Sequence, residues 1–480
     1  MRHDKNALNK CEKVLREIEE KPSFTPSKKG NKIIHDPLFG TQVFYSHEIR
    51  VIDLQIFQRL RRIKQMGFCY LLYPGAQHTR FEHSLGACDI LERLYRVHSA
   101  MNTKLGENLK LTYNTLRIAA ILHDVGHVPF SHDLEIVLEE MSFFRNQRRK
   151  YFPEAKPHEI LTYYIINTSY FQEVLASLST YIEREKVGDL IVGRPPNNDP
   201  SYKWLTSLIN GVLDVDKLDY LRRDAYYTGL PITIDLDRLF HSLDIESIGD
   251  GQDIIITHRG VPALEQAIFN KIFLFSTVYH HHKTRSAACM FAECVRRSKF
   301  YKEIAKNPFI LLKYDDSTII DAIKCDENEQ ILKDIQNRRL LKRGIIISQT
   351  TVKGGVKSKK EQHPLTEFWK IREDPKLKED LESEIRNELG IEEDKLVIAD
   401  SPKPVGIREA QHSFIKHYGI VERVGKLLAL DHWLGRFSEL KASSHIFIPP
   451  EFQTNDNYNK IVKVLKDFFG LEFKSVAKPW

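Results

Sequence analysis

The stretch Ile121-Leu-His-Asp-Val-Gly-His-Val-Pro-Phe-Ser-His132 decides how this chain is read. The apolar run Leu116 to Leu122 leads into it and reads as a buried helix. Gly126 and Pro129 follow at once and end that helix near His123. Neighbouring helical residues point about 100° apart, so His123 and Asp124 can both reach one ion only at a helix end. The turn supplies that end, and His127, His132 and His158 lie within the run or shortly beyond it.

Working outward, His83 stands upstream in Thr79-Arg-Phe-Glu-His-Ser-Leu-Gly, and Asp216 stands downstream in Asp214-Val-Asp-Lys-Leu-Asp-Tyr. Two imidazoles with two carboxylates suit a borderline divalent metal (Mn, Fe, Zn or Co), whereas oxygen-only ligands favour Mg or Ca. The donor set does not fix the metal's identity, and Mg is a further alternative. A site of this kind can generate hydroxide at neutral pH and offset the charge of a phosphate.

Farther out, the pattern predicts a mainly α fold: a helical core with a smaller mixed α/β C-terminal lobe. The chain has 480 residues, which favours two or three lobes. Residues 1–36 read as an arm, 37–300 as the helical body and 301–480 as the C-terminal lobe. In the body, Phe57, Leu60, Ile63 and Met66 recur at helical spacing with Gly67 as a stop, and Leu85, Cys88, Leu91 and Leu94 form a second stripe. Asp214 to Tyr227 is a third helix, and one long helix is expected over Pro262 to Lys302. Basic Phe143 to Tyr151 and Pro/Asn-rich Gly193 to Tyr202 read as loop insertions, and Gly354-Gly-Val-Lys-Ser-Lys-Lys-Glu-Gln as an exposed basic loop. Gly344-Ile-Ile-Ile-Ser, Leu396-Val-Ile-Ala-Asp and His445-Ile-Phe-Ile-Pro read as short strands.

Composition narrows the class. Hydrophobic residues at 42% and charged residues at 28% fit a soluble globular chain, and no apolar run is long enough to cross a bilayer. The first residues lack the apolar centre of a signal peptide, so a cytoplasmic location is expected. Six cysteines without a CxxC pair argue against a disulfide framework or a zinc knuckle. The net charge of +6 is compatible with a phosphorylated ligand.

The words around these residues resemble a known family. Phe57-Gln-Arg-Leu-Arg-Arg-Ile-Lys-Gln, Tyr73-Pro-Gly-Ala, Arg80-Phe-Glu-His-Ser-Leu-Gly, His123-Asp-Val-Gly-His-Val-Pro-Phe-Ser-His and Asp214-Val-Asp-Lys-Leu-Asp-Tyr resemble, in the expected order, the deoxynucleoside triphosphate (dNTP) triphosphohydrolase branch of the HD superfamily of metal phosphohydrolases. The likeness runs from Lys32 to Arg285. It implies release of intact triphosphate from dNTPs, with His83, His123, Asp124 and Asp216 as metal ligands. It also implies Arg80, His127, Lys217 and Lys283 against the phosphates. His132 and His158 match the catalytic histidines, one protonating the departing 5′ oxygen and the other relaying the proton. Imidazole suits that task because its pKa lies near working pH. Glu135 stands where the animal members carry an aspartate that orients a histidine. Gln65, Tyr220 and Asp224 match the deoxyribose site.

Two departures touch the substrate. The family's sugar-stacking tyrosine falls on His280, with Tyr279 one residue away, and its arginine against the terminal phosphate falls on Lys271-Ile-Phe-Leu. His280 to His282 read as a polar pocket wall in preference to a second metal site. Lys32, Asp53, Gln58, Arg61 and Arg238 match a regulatory nucleotide site between subunits, so a nucleotide activator and a homo-oligomer, dimer or tetramer, are implied. The rival readings are an HD phosphoesterase acting on nucleoside monophosphates, cyclic nucleotides or nucleic acid, and a sensing module that binds nucleotides or, through Phe143-Phe-Arg-Asn-Gln-Arg-Arg-Lys-Tyr-Phe, single-stranded nucleic acid.

Overall fold

Helix Arg80–Val97 is the pivot of the larger part of the molecule, packing against both Leu109–Leu122 and Val215–Thr228. Its stripe of Leu85, Cys88, Leu91 and Leu94 is buried, as the spacing requires. Val215–Thr228 starts on Asp214, whose carboxylate accepts from the Lys217 N–H, and stops at left-handed Gly229. Gly86 allows the close approach of the two helices. A Cβ there would sit 2.0 Å from Asp219 Oδ1 and 2.3 Å from Arg223 Nη2.

The computed structural model describes residues 3–19, 30–97, 109–178, 182–353, 365–403, 405–406, 411–428 and 441–479. The expected loop from Gly354 to Gln362 lies outside them. The chain forms two units: residues 1–271, 299–323 and 408–428 make the first, and 272–298, 324–407 and 429–480 the second. The fold is mainly α, with the strands gathered into small sheets.

In the first unit, helix Lys5–Ile18 buries Ala7, Cys11, Val14 and Leu15 and is capped by the Asp4 carboxylate. Strands Lys32–Asp36 and Gly40–Phe44 form a hairpin. A four-stranded sheet runs in the order Leu243–Ile248, Gly251–Thr257, Phe414–His417, Ile420–Arg423, with only its central pair parallel. In the second unit, Ser444–Ile448 is flanked antiparallel by Lys342–Ile347 and Ile398–Asp400. Ile345, Ile347, Ile446 and Ile448 share a buried cluster with Leu381 and Ile385 of helix Pro375–Leu389 and with Ile461 and Leu465 of helix Asn455–Phe469. All three expected C-terminal strands are therefore present.

Four local expectations are corrected. The long helix over Pro262 to Lys302 is broken into Val261–Leu274, a π-turn at Phe275–Tyr279, His282–Arg297 and Lys299–Lys306. His281 leaves helical geometry and accepts from the Lys283 N–H, so it starts a new helix. The Phe57–Met66 stripe is buried, but the backbone passes from helix Gln55–Gln58 to a 3₁₀ turn at Arg59–Arg62 and is extended at Ile63. Basic Phe143–Tyr151 is largely a helix, Ser142–Lys150, held through buried Phe144 and Gln147. The body also holds the Leu243–Thr257 hairpin, which turns at Gly249-Asp-Gly and whose burial alternates over residues 251–255. Among the described residues no helix is long and apolar enough to cross a membrane.

Candidate metal centre

His83 lies in the first turn of helix Arg80–Val97, His123 and Asp124 just past the end of Leu109–Leu122, and Asp216 in the first turn of Val215–Thr228. The three packed helices bring these side chains together. His83 Nε2 is 3.0 Å from Asp216 Oδ1, 3.4 Å from Asp124 Oδ2 and 3.2 Å from His123 Nε2. His123 Nε2 is 3.5 Å from Asp124 Oδ1 and 3.7 Å from Asp216 Oδ1. His83 is fully buried, and Asp216 forms the more open side.

The outer atoms of this set fit a cation. His83 Nδ1 is 2.7 Å from Asp219 Oδ2, and His123 Nδ1 is 2.8 Å from the Ala120 carbonyl. Each imidazole thus has its Nδ1–H on an acceptor and its Nε2 turned toward the centre, the orientation of a metal-ligating histidine. Asp219 is in turn gripped by the buried Arg223 at 2.8 and 2.9 Å, and Arg223 reaches Asp36 of the hairpin at 2.8 Å. Burial acts against protonation of His83, but Asp216 and Asp219 outweigh it and raise its pKa to about 10. Desolvation would raise the carboxyl of half-buried Asp216, but hydrogen bonds from His123 and His83 hold it well below the usual range. The cluster therefore calls for positive charge at its centre, which a divalent cation would supply while displacing the protons.

Beside it stands a second histidine group. Glu135, on helix His132–Glu139, places Oε2 2.5 Å from His132 Nδ1 and Oε1 2.6 Å from His158 Nδ1. Burial would raise its pKa, but His158 and His132 hold it well below the carboxylate range. His127 is completely buried, stacks on His158 at 3.9 Å and has Nε2 3.2 Å from Asp124 Oδ1. His132 is 54% exposed. Glu135 thus reaches both histidines despite being longer than the family's aspartate.

The remaining expected residues divide between the units. Arg80 donates to Asp124 Oδ2 at 2.7 Å and to Ser131 Oγ at 2.9 Å. Lys217 donates to Asp214 Oδ2 at 2.6 Å and to the Gly211 carbonyl at 2.8 Å. Gln65 is buried and its Oε1 meets no hydrogen-bond donor among the described residues. Asp224 Oδ1 is 2.7 Å from His78 Nε2, and Tyr220 is half-buried on the same helix as Asp224. His280 and Lys283 belong to the second unit, where burial lowers both pKa values, that of His280 to about 4. Of the regulatory set, Lys32 lies 3.7 Å from Asp53, and Arg61 donates to Gln58 at 2.8 Å while stacking over Phe81. Arg238 is exposed on helix Leu236–Ser242.

Sequence reading missed His78, Asp219, Arg223 and Arg59. Asp219 and Arg223 follow Asp216 at helical spacing, a signal that was available. Arg59 is buried and donates to the carbonyls of Tyr314, Val125 and His127, bracing the turn after the His-Asp pair. Nothing in the local sequence marks it.

Comparison with known proteins supplies the context. Residues 80–224 match the HD domain model, and residues 234–466 match the HD associated region. An uncharacterized protein of Methanocaldococcus jannaschii is 32% identical over 324 residues, covering 66% of this chain and 60% of that protein. The deoxynucleoside triphosphate triphosphohydrolase SAMHD1 of Homo sapiens is 28% identical over 381 residues, covering 69% of this chain and 57% of that protein. The match thus spans less than two thirds of these relatives. A crystal structure of a hypothetical protein from Aquifex aeolicus shares the fold, with a TM-score of 0.61 and 24% identity over 90% of this chain and 100% of that one.

Proposed function

The chain belongs to the HD-domain phosphohydrolase family, and from that premise we propose that it is a dNTP triphosphohydrolase acting with a divalent metal (Mn, Fe, Mg, Zn or Co). The observation that carries the reading is Glu135 bridging His132 and His158 beside the His83, His123, Asp124 and Asp216 donor set. Those four residues would hold the metal. When bound, it supplies a Lewis acid that activates water and offsets phosphate charge.

The chain's own residues do the rest. Glu135 accepts from Nδ1 of both histidines, which leaves each Nε2 as the atom that can carry a proton to or from the substrate. His132, the exposed member, donates its proton to the departing 5′ oxygen, while His158, buried against His127, steadies Glu135. Water oxygen adds to the α-phosphorus, the bond to the 5′ oxygen breaks, and deoxynucleoside and triphosphate leave. Arg80 and Lys217 are assigned to the phosphates. Gln65, Tyr220 and Asp224 are assigned to the sugar, where a fixed Asp224 would accept from the 3′ hydroxyl. A close-fitting sugar site would reject ribonucleotides, because an added hydroxyl finds neither space nor partner.

We also propose that Lys32, Asp53, Gln58, Arg61 and Arg238 bind an activating nucleotide in a homo-oligomer. A size-exclusion profile that does not change with GTP or any dNTP would remove that part alone.

The test of the activity is product analysis with Mn²⁺ or Mg²⁺ and each of the four dNTPs and NTPs, singly and mixed. Deoxynucleoside with intact triphosphate is the expected pair. Pyrophosphate, orthophosphate or no product would exclude the reaction and favour a phosphoesterase acting on cyclic nucleotides, monophosphates or nucleic acid.

A further inference from the structure

His132 follows a backbone feature that its sequence does not explain. Phe130 has φ 55° and Ser131 has φ 52° with ψ −125°, two successive left-handed residues with neither glycine nor asparagine among them. Such conformations are sparsely populated for side chains of this kind, and they persist only where the surroundings impose them. Here the surroundings can be named. Phe130 N–H donates to Asp316 Oδ1 at 2.6 Å, and Lys64 N–H donates to Asp316 Oδ2 at 2.9 Å. Ser131 Oγ donates to the Lys64 carbonyl at 2.8 Å and accepts from Arg80 Nε. The Phe130 ring stacks on Phe68 at 4.4 Å, and the next carboxylate, Asp133, accepts from Phe68 N–H at 2.8 Å. One buried carboxylate, 8% exposed, thus ties the turn to the Lys64 backbone. It comes from 186 residues farther along, in the part of the chain matched by the HD associated region.

We infer that Asp316 is a positioning residue, which imposes the Phe130–Ser131 turn and so sets the direction in which His132 enters its helix and meets Glu135. The inference rests on the proton-donor role proposed above for His132. Burial pushes the Asp316 carboxyl up to about 6, against the two backbone donors that lower it. An apolar residue would fill the same space without that penalty, so packing alone does not account for an aspartate here. What an aspartate adds is one acceptor oxygen for each of the Phe130 and Lys64 N–H groups.

The test uses the full metal-loaded chain with Asp316→Asn, which keeps one acceptor and turns an amide N–H₂ toward the other donor. Metal content and KM should stay within about two-fold of wild type, and kcat should fall by about 10- to 100-fold, the scale of a misdirected catalytic group. Hydrogen exchange of peptides covering residues 128–134 should rise while the rest of the first unit is unchanged. Carbethoxylation of His132, followed by mass spectrometry, should quicken as its imidazole leaves Glu135. A folded variant with unchanged kcat overturns the inference, and so does a loss of kcat that only follows loss of metal. Should wild type hydrolyse no nucleotide, the proposed activity fails by itself. The positioning claim is then decided by exchange and carbethoxylation, and unchanged values in the variant overturn it. Should the variant not fold, wild type decides, because rapid exchange across 128–134 in the native chain is incompatible with a held turn.

Discussion

Two groups of histidines lie side by side in the first unit, and they are built differently. His83 and His123 each have Nδ1 on a fixed acceptor, with Asp219 itself clamped by Arg223. His132 and His158 share one acceptor, Glu135, and His132 is open to solvent. The first arrangement fixes lone pairs and concentrates negative charge, which suits holding a cation. The second fixes orientation but leaves an exposed edge, which suits a proton that must come and go. The acceptor behind an imidazole, more than the imidazole itself, separates ligand from acid.

The contrast can be broken at either side. The largest effect is expected for His123→Ala/Asp124→Ala, which should bring both bound metal and phosphohydrolase activity to background, read by elemental analysis and product assay. His132→Ala should keep the metal and lower kcat by about 10²- to 10⁴-fold. Equal metal loss in both variants would erase the distinction. Asp219→Asn should weaken metal affinity by about 10- to 100-fold in a chelator competition, because the anionic acceptor behind His83 becomes a neutral amide with a single acceptor oxygen. The smallest effect concerns stability. Buried Glu135 has its folded pKa held well below the ordinary 4.5, so its contribution is present above that pH and lost as pH falls through the folded value. The melting-temperature gap between wild type and Glu135→Gln should be widest near neutrality, begin to narrow below about pH 4.5 and close only well below that pH. A gap that widens on acidification would contradict the assignment of Glu135 as the shared, ionised acceptor.

Much of this centre was legible in sequence, for physical reasons. A His-Asp pair followed by Gly126 and Pro129 marks a helix end, and helix ends are where neighbouring side chains can converge. His83 and Asp216 carry the same mark in reverse, each in the first turn of a helix. The strands around Ile345, Ile398 and Ile446 were legible because short apolar runs bounded by polar residues have few other solutions. Arg59 and Asp316 were not legible, since each acts on backbone groups far along the chain and no periodicity records such a bond. The Pro262–Lys302 helix was misread because a π-turn and a histidine cap preserve helical composition while interrupting helical geometry.

A line of charges from Asp36 through Arg223 and Asp219 to His83 joins the Lys32–Phe44 hairpin to one of the proposed metal ligands. Were Asp36 drawn away, Arg223 would be left with Asp219 as its sole carboxylate among these three residues. It would then hold Asp219 more tightly, and His83 would become a poorer electron donor. A ligand seated near Lys32 could in this way be felt as a change in metal affinity, and by thermodynamic reciprocity the metal would be felt as a change in affinity for that ligand.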